Sequence, residues 1–279
     1  MEELAHAKVN LFLRVLRRRD DGFHEIETLL TPITLNDTVE IVSSDVFRFR
    51  CSDPSLSAGE DNLVVRAARA FFAATKLEPQ VEITLSKRIP HGAGLGGGSS
   101  DAAATLRGLN RFCGANLSSE RLQEIAATLG SDVPFFIEET TAICRGRGEI
   151  IAAAPQPSRF TLLLLKPAFS VPTPWAYSRW AEARELPEAK YAEQTYGDAT
   201  FVNDLERPVF EKFPFLALLK NWLLAQPQVA VALMSGSGST MFAVLRDRTS
   251  ADALIAQARE ELDPQLWAFA CETVDRPER

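Results

Sequence analysis

The sequence predicts a two-lobed α+β fold, and three features carry that prediction. The opening residues alternate with the period of a strand, helical periodicity sets in after residue 61, and a polar, proline-interrupted stretch near the middle separates two such groups of elements. The chain has 279 residues, 46% hydrophobic and 24% charged, which is the composition of a folded globular protein and excludes disordered and fibrous classes.

The first element is the clearest. Across residues 4–16, Val9, Leu11, Leu13 and Val15 face one way and His6, Lys8, Asn10, Phe12 and Arg14 the other, so Lys8 and Asn10 share one face of a strand. Arg17-Arg18-Arg19 runs into Asp20-Asp21-Gly22, a solvated hairpin turn by its Asp-Gly chemistry. Three further strands are expected at 25–30, 38–42 and 46–50. Asp61 and Asn62 cap a helix to about Lys76, in which Leu63, Ala67, Ala70 and Phe71 recur at helical spacing. A strand at 81–87 leads into a glycine-rich loop at 90–98, and a helix starting near Ser99 follows. A second helix carries Leu122, Ile125, Ala126 and Leu129 and is expected to end on Gly130 as its C-terminal cap.

Strands are expected at 141–144 and 160–165. The prolines of 166–174 and the polar run 182–198 make the candidate hinge, and the domain division is set at 1–157 and 158–279. The second half reads as apolar helices near 208–225, strands at 229–233 and 241–245 around a Ser/Gly loop at 235–239, a helix at 250–261 and a last strand near 266–272.

A formal charge of −7 argues against a nucleic-acid or anionic-membrane partner. Cys51, Cys113, Cys144 and Cys271 are far apart and, with only three histidines, make no zinc-type cluster; they read as buried small hydrophobes in a reducing compartment. With no signal-peptide pattern and no apolar run long enough for a bilayer, the expected location is the cytoplasm.

The sharpest local signal is Pro90-His91-Gly92-Ala93-Gly94-Leu95-Gly96-Gly97-Gly98-Ser99-Ser100-Asp101. Five glycines in seven positions let backbone approach a ligand, and the free N–H groups of the helix that follows favour an anion, of which a phosphate is the natural example. No lysine follows the glycines, so a Walker A loop is excluded. Residues 92–97 formally match GxGxxG, which keeps a dinucleotide-binding oxidoreductase as a rival. Against it stand the position almost 100 residues into the chain, the extra Gly98-Ser99-Ser100, and a second helix where a ribose-binding acid should end a strand.

This loop resembles the ATP-binding motif of the GHMP small-molecule kinases. Ala7-Lys8-Val9-Asn10-Leu11, Asp21-Gly22-Phe23-His24-Glu25, Gly130-Ser131-Asp132-Val133-Pro134-Phe135-Phe136 and Ser235-Gly236-Ser237-Gly238-Ser239-Thr240 narrow the likeness to members that act on a cytidylylated methylerythritol. The motifs run in family order from residue 5 to about 245. The resemblance implies an N-terminal lobe like ribosomal protein S5 domain 2, a ferredoxin-like C-terminal lobe, and phosphoryl transfer from ATP, accompanied by Mg2+, to the tertiary 2-hydroxyl of a cytidine-diphosphate methylerythritol.

Residue by residue, the resemblance makes Asp132 the base and Lys8 its electrostatic partner, with Pro90 through Ser100 holding ATP. It places Asn10, Phe23, His24, Tyr177, Gly236 and Ser237 at the acceptor, with His24 at the edge of a cytosine sandwiched between the rings of Phe23 and Tyr177. Relatives often carry Tyr where Phe23 stands, so a hydroxyl contact is missing here and stacking is retained. No residue is assigned to the metal, whose ligands would be mostly water and phosphate oxygens. The partner is a small molecule, and the protein is a monomer or homodimer. A GHMP kinase for another alcohol and a catalytically silent nucleotide-binding regulator remain as alternatives at this stage.

Overall fold

The computed structural model describes residues 1–155 and 157–274. The chain opens with the strands β1 (Glu2–Arg18), β2 (His24–Ser43) and β3 (Arg48–Cys51). Helix α1 (Leu63–Thr75), β4 (Val81–Ser86), α2 (Gly97–Phe112), α3 (Ser119–Ala127) and the short α4 (Phe135–Glu138) follow, then β5 (Ala142–Gly146), β6 (Ile150–Ala153) and β7 (Thr161–Lys166). The remainder is α5 (Thr173–Arg179), β8 (Gln194–Tyr196), β9 (Ala199–Asn203), α6 (Glu206–Lys212), α7 (Pro214–Ala225), β10 (Val229–Met234), β11 (Met241–Leu245), α8 (Ala251–Glu261) and β12 (Trp267–Glu272).

The strands form two sheets. The larger has the order β3-β4-β2-β1-β9-β8, with β5 added to β2 and β6 to β5; the smaller has the order β10-β11-β7-β12. In chain order the smaller sheet reads 4-1-3-2 with α8 between its last strands, the split βαβ arrangement of a ferredoxin-like lobe. Helices α1 to α4 cover one face of the large sheet through Phe71, Leu106, Leu109 and Phe136. Its opposite face, carrying Val9, Leu11, Ile33 and Leu35, packs on Leu162, Leu164, Val231 and Phe242 of the small sheet. Helices α6 to α8 close the outer side of the small sheet through Phe210, Leu219 and Leu254. Each such fully buried side chain contributes about 1.5–3 kcal/mol relative to exposure, so the inter-sheet layer holds the two halves together.

The alternation in β1 is present, with Val9 and Leu11 in the inter-sheet core and Lys8 and Asn10 on the other face. Two register shifts against β2 flank the functional pair, one between His6 and Lys8 and one between Asn10 and Phe12. Such bulges bend a strand and re-aim its side chains. The cap of α1 is as expected: Asn62 accepts from Val64 N–H, and Lys76 ends the helix in the left-handed conformation.

Several expectations need correction. Residues 25–30 and 38–42 belong to one strand, because β2 spends its first half on β5 and its second on β4. Helix α2 starts at Gly97, two residues before Ser99. Helix α3 ends at Ala127 with Thr128 as its right-handed cap, so Gly130 belongs to the following turn. Strands β6, β8 and β9 and helices α4 and α5 were not anticipated; β9 pairs parallel to β1 at Phe12–Val202 and so joins the first sheet from late in the chain. All four cysteines are free, Cys144 and Cys271 buried but Cys51 and Cys113 only half-buried. Among the described residues no helix is long and apolar enough to cross a membrane, and no group of three His, Cys, Asp or Glu could hold a metal.

Candidate active site

A single cleft of about 1150 Å3 opens where α2, β1, the 90–98 loop and the 235–239 loop meet. Every residue assigned to the site from sequence lines it except Ser100, which is fully buried in the first turn of α2.

Lys8 stands at the centre. Its Nζ donates to Asn10 Oδ1 at 2.7 Å and to the Gly94 carbonyl at 2.9 Å. Asn10 in turn donates from Nδ2 to Thr28 Oγ1 at 2.8 Å, and Thr28 donates to the Phe12 carbonyl at 2.6 Å. This chain fixes the Asn10 amide so that its oxygen faces the ammonium. Burial pushes the Lys8 pKa down, while the charge of Asp132 pulls it back up. Both acceptors are neutral groups, and Asp132 acts on Lys8 through space rather than through a contact ion pair. A buried ammonium so placed is under-compensated, and polyphosphate entering the cleft would stabilise its charge.

Asp132 sits on the turn between α3 and α4, which is closed by Val133 N–H to the Gly130 carbonyl at 3.3 Å. It is partly exposed to the cleft, with Pro134 as the cap of α4, so Asp132 is not itself a helix cap. Gly148 lies opposite: a Cβ built there would stand 3.5 Å from Asp132 Oδ1.

The glycine loop works by close approach. A Cβ on Gly94, at φ +74°, would stand 2.2 Å from the Ser235 carbonyl oxygen; one on Gly96, at φ +73°, would stand 2.6 Å from the Phe136 ring. Glycine at these positions lets the 235–239 loop close on the 90–98 loop and lets the loop lie flat on Phe136 beside the Lys8 stem. Ser235 Oγ and Lys8 Nζ share the Gly94 carbonyl, at 3.0 and 2.9 Å, and Thr240 N–H reaches the Ala93 carbonyl at 3.2 Å. Gly96 is the N-cap of α2 and offers no capping side chain, which leaves the first-turn amides of Gly97, Gly98 and Ser99 for an anion.

Beneath this turn lies an ion cluster whose pairing no sequence pattern announces, although Asp101 closes the glycine motif. Lys87, which lines the cleft, bonds Asp37 at 2.5 Å and Asp101 at 2.7 Å; Asp37 also accepts from Arg88 N–H and Ile89 N–H. Burial raises the Asp101 carboxyl, Lys87 opposes that shift, Asp37 adds to it, and the result is about 8. The two carboxylates raise Lys87 above its usual value despite burial.

At the far end, His24 is a ring neighbour of Tyr177 at 5.6 Å and of Trp180 at 6.1 Å. Desolvation and the charge of Arg18 lower the His24 pKa, so the imidazole is neutral near pH 7. Burial and the charge of Asp132 raise the Tyr177 phenol, keeping it protonated. Phe23 is half-exposed at the rim with the Arg147 guanidinium 4.7 Å above its ring. The Asp20–Gly22 turn forms as expected, with Phe23 N–H on Asp21 Oδ1 at 3.1 Å. Arg18, Thr28, Lys87, Asp101, Arg147 and Thr173 line the cleft without having been singled out. Asp101, which closes the glycine motif, and Arg18, within the Arg17–Arg19 run, are the two that carry a sequence signal.

Comparison with known proteins agrees with this architecture. The GHMP kinases N terminal domain model matches residues 62–139 and the GHMP kinases C terminal model matches residues 189–263. The 4-diphosphocytidyl-2-C-methyl-D-erythritol kinase of Methylacidiphilum infernorum is 40% identical over 283 residues, covering 99% of this chain and 98% of its own; that of Salinibacter ruber is 38% identical over 262 residues, covering 90% and 92%. A crystal structure of a 4-(cytidine 5'-diphospho)-2C-methyl-D-erythritol kinase superposes with a TM-score of 0.80 at 36% identity, over 98% of this chain and 99% of the other. A mevalonate kinase at 12% identity, with a TM-score of 0.71 over 99% of this chain and 100% of the other, shares the fold. The chain therefore belongs to the GHMP kinase family, within it to the 4-diphosphocytidyl-2-C-methyl-D-erythritol kinases, and is a small-molecule kinase.

Proposed function

We propose that the chain transfers the γ-phosphoryl group of ATP to the 2-hydroxyl of 4-diphosphocytidyl-2-C-methyl-D-erythritol, giving the 2-phosphate in non-mevalonate isoprenoid synthesis. The observation that carries this reading is the under-compensated Lys8 ammonium. It lies in the same cleft as Asp132, the bare N-terminus of α2 and the His24–Tyr177 ring pair.

In this reading the triphosphate lies against residues 90–100, its oxygens on the first-turn amides of α2. The acceptor hydroxyl lies between Asp132 and Lys8. As its oxygen bonds to the γ-phosphorus and the bond to the β,γ-bridging oxygen breaks, the hydroxyl proton passes to an Asp132 carboxylate oxygen. Lys8 offsets charge on the equatorial oxygens, held in place by Asn10 and the Gly94 carbonyl. ATP would enter as its magnesium complex, the ion supplying neutralisation of charge on the phosphates, and no side chain is assigned to hold it. Cytosine lies in the region of Phe23, His24 and Tyr177, where a neutral imidazole can meet the base edge. Gly236 and Ser237 close the site over the acceptor. The same reading takes 1–157 and 158–279 as the two domains, and the protein as a cytoplasmic monomer or homodimer acting on a small molecule, without a nucleic-acid or membrane partner.

A coupled ADP-release assay with Mg-ATP tests it, comparing 4-diphosphocytidyl-2-C-methyl-D-erythritol with homoserine and mevalonate at equal concentration. Turnover confined to the cytidylylated alcohol is expected. Turnover with one of the others instead, or with none, overturns the acceptor assignment.

A further inference from the structure

The segment Asn203-Asp204-Leu205-Glu206, where β9 runs into α6, makes polar contacts that the proposed chemistry has not used. Asn203 is buried, and its Nδ2 donates to the Met234 carbonyl and to the Gly236 carbonyl, both at 2.7 Å. Its Oδ1 accepts Leu205 N–H at 2.9 Å. With carbonyls on one side and an N–H on the other, the amide can sit in only one orientation. Asp204 accepts Val15 N–H at 2.8 Å and donates its own N–H to the Leu13 carbonyl at 3.0 Å, fastening the segment to β1. Glu206, paired with Lys220, accepts Met234 N–H at 2.9 Å. These four residues thus tie the strand that carries Lys8 to the loop that lies over Lys8.

The consequence falls on one peptide unit. In a trans peptide the carbonyl and the following N–H point in opposite directions. The Gly236 carbonyl is drawn into the interior by Asn203, so the Ser237 N–H is turned the other way, toward the cleft that Gly236 and Ser237 line. Among the described residues no acceptor is found for that N–H. Gly236 lies directly over the ammonium: a Cβ there would stand 3.3 Å from Lys8 Nζ and 3.4 Å from Asn10 Oδ1.

We propose that Asn203 is a positioning residue, which by holding the Met234 and Gly236 carbonyls aims the Ser237 amide into the cleft as a donor to a phosphoryl oxygen of the bound substrates. The inference rests on the phosphoryl-transfer reading above. A neutral backbone donor beside Lys8 adds stabilisation where negative charge gathers, without a second buried cation to be desolvated.

Asn203→Asp keeps the shape and the acceptor for Leu205 N–H but sets a carboxylate oxygen against two carbonyls, which frees the peptide to turn. Its kinetics are compared with those of Leu219→Ala, a core substitution in α7 that lowers stability without touching the cleft, at a temperature where both remain folded. The expected result is a fall in kcat of about 10²-fold, the usual effect of losing one preorganised donor, with KM for ATP little changed. Affinity for MgADP with aluminium fluoride and acceptor, a mimic of the phosphoryl group in flight, falls with kcat. A loss no larger than that of Leu219→Ala overturns the proposal. Should Asn203→Asp not fold, Asn203→Ser, too short to span both carbonyls, is read by the same two outcomes. Absence of wild-type turnover brings down the functional reading and this inference together, whereas normal turnover with an unaffected Asn203 variant brings down the inference alone.

Discussion

Two buried lysines line the same cleft and are held in opposite ways. Lys87 is bracketed by Asp37 and Asp101, and their charges raise its pKa. Lys8 has only the Asn10 amide oxygen and the Gly94 carbonyl, and burial lowers its pKa. The first lysine is satisfied within the protein and fastens the end of β4 to β2 and to the first turn of α2. The second is left short of negative charge at the point where two glycine loops meet. A fully paired cation has little to offer a ligand, and an under-paired one gains when an anion arrives. The contrast separates the lysine that braces the proposed phosphate cradle from the lysine proposed to act on its contents.

The most severe way to break this contrast is to remove the group that tempers Lys8 through space. Asp132→Asn is nearly isosteric on a partly exposed turn, so the protein should fold normally. Steady-state turnover should then drop by about 10²–10⁴, the range for loss of a positioned base; wild-type turnover in the folded variant would remove Asp132 from the chemistry. Next come the lysines themselves. Lys87→Met leaves the buried Asp37–Asp101 pair, which holds one proton near neutral pH, without its cation, and should cost about 3–5 kcal/mol in urea unfolding. Lys8→Met removes a cation bonded to neutral groups and should cost only about 1 kcal/mol while kcat falls at least about 10²-fold. Equal stability losses for the two substitutions would mean that the difference in their surroundings carries no energetic weight.

The two lysines also show how far the sequence could be read. The position of Lys8 was legible, because alternation over 4–16 puts it on one face with Asn10, inside a motif that resembles that of the GHMP kinases. The bulges on either side were not legible, since they depend on the register with β2. Lys87 stayed silent: Asp37 lies 50 residues away in sequence and is brought to it only by the pairing of β2 with β4. The helices from 63 to 127 could be placed from periodicity and the Asn62 cap. The polar run 182–198 gives no period from which to place the three residues of β8, and β9 owes its position to parallel pairing with β1, a contact nothing local announces. For the same reason Asn203 is visible only once the 235–239 loop lies beside it.

A smaller effect should appear at the far end of the cleft, away from both lysines. His24 is neutral near pH 7 because desolvation and Arg18 disfavour its cation. His24→Ala should raise the KM for the cytidylylated acceptor about tenfold, equivalent to one hydrogen bond of about 1.4 kcal/mol. KM for ATP should move by less than about twofold, so the ratio of the two constants is the measurement. Equal changes in both would remove His24 from the acceptor pocket and leave it as a ring packed between Tyr177 and Trp180.

The finest test returns to the Lys87 cluster and concerns the pH dependence of stability. The folded chain holds the Asp101 proton up to about 8, against 3.8 for an ordinary aspartate, because burial disfavours the carboxylate, with Lys87 opposing and Asp37 adding to the shift. Between those values the folded state binds more protons than the unfolded state, so this group makes stability fall as pH rises, the reverse of a salt-bridged surface carboxylate. Above the folded pKa its contribution levels off. Asp101→Asn keeps an acceptor for Lys87 and removes one of two like charges. Its Tm should therefore vary less steeply than that of the wild type from about pH 5 to about pH 8, with the gain over the wild type greatest at the alkaline end. Parallel Tm curves for the two proteins would show that Asp101 is ionised throughout that range, and that Lys87 compensates both of its carboxylates rather than one and a shared proton.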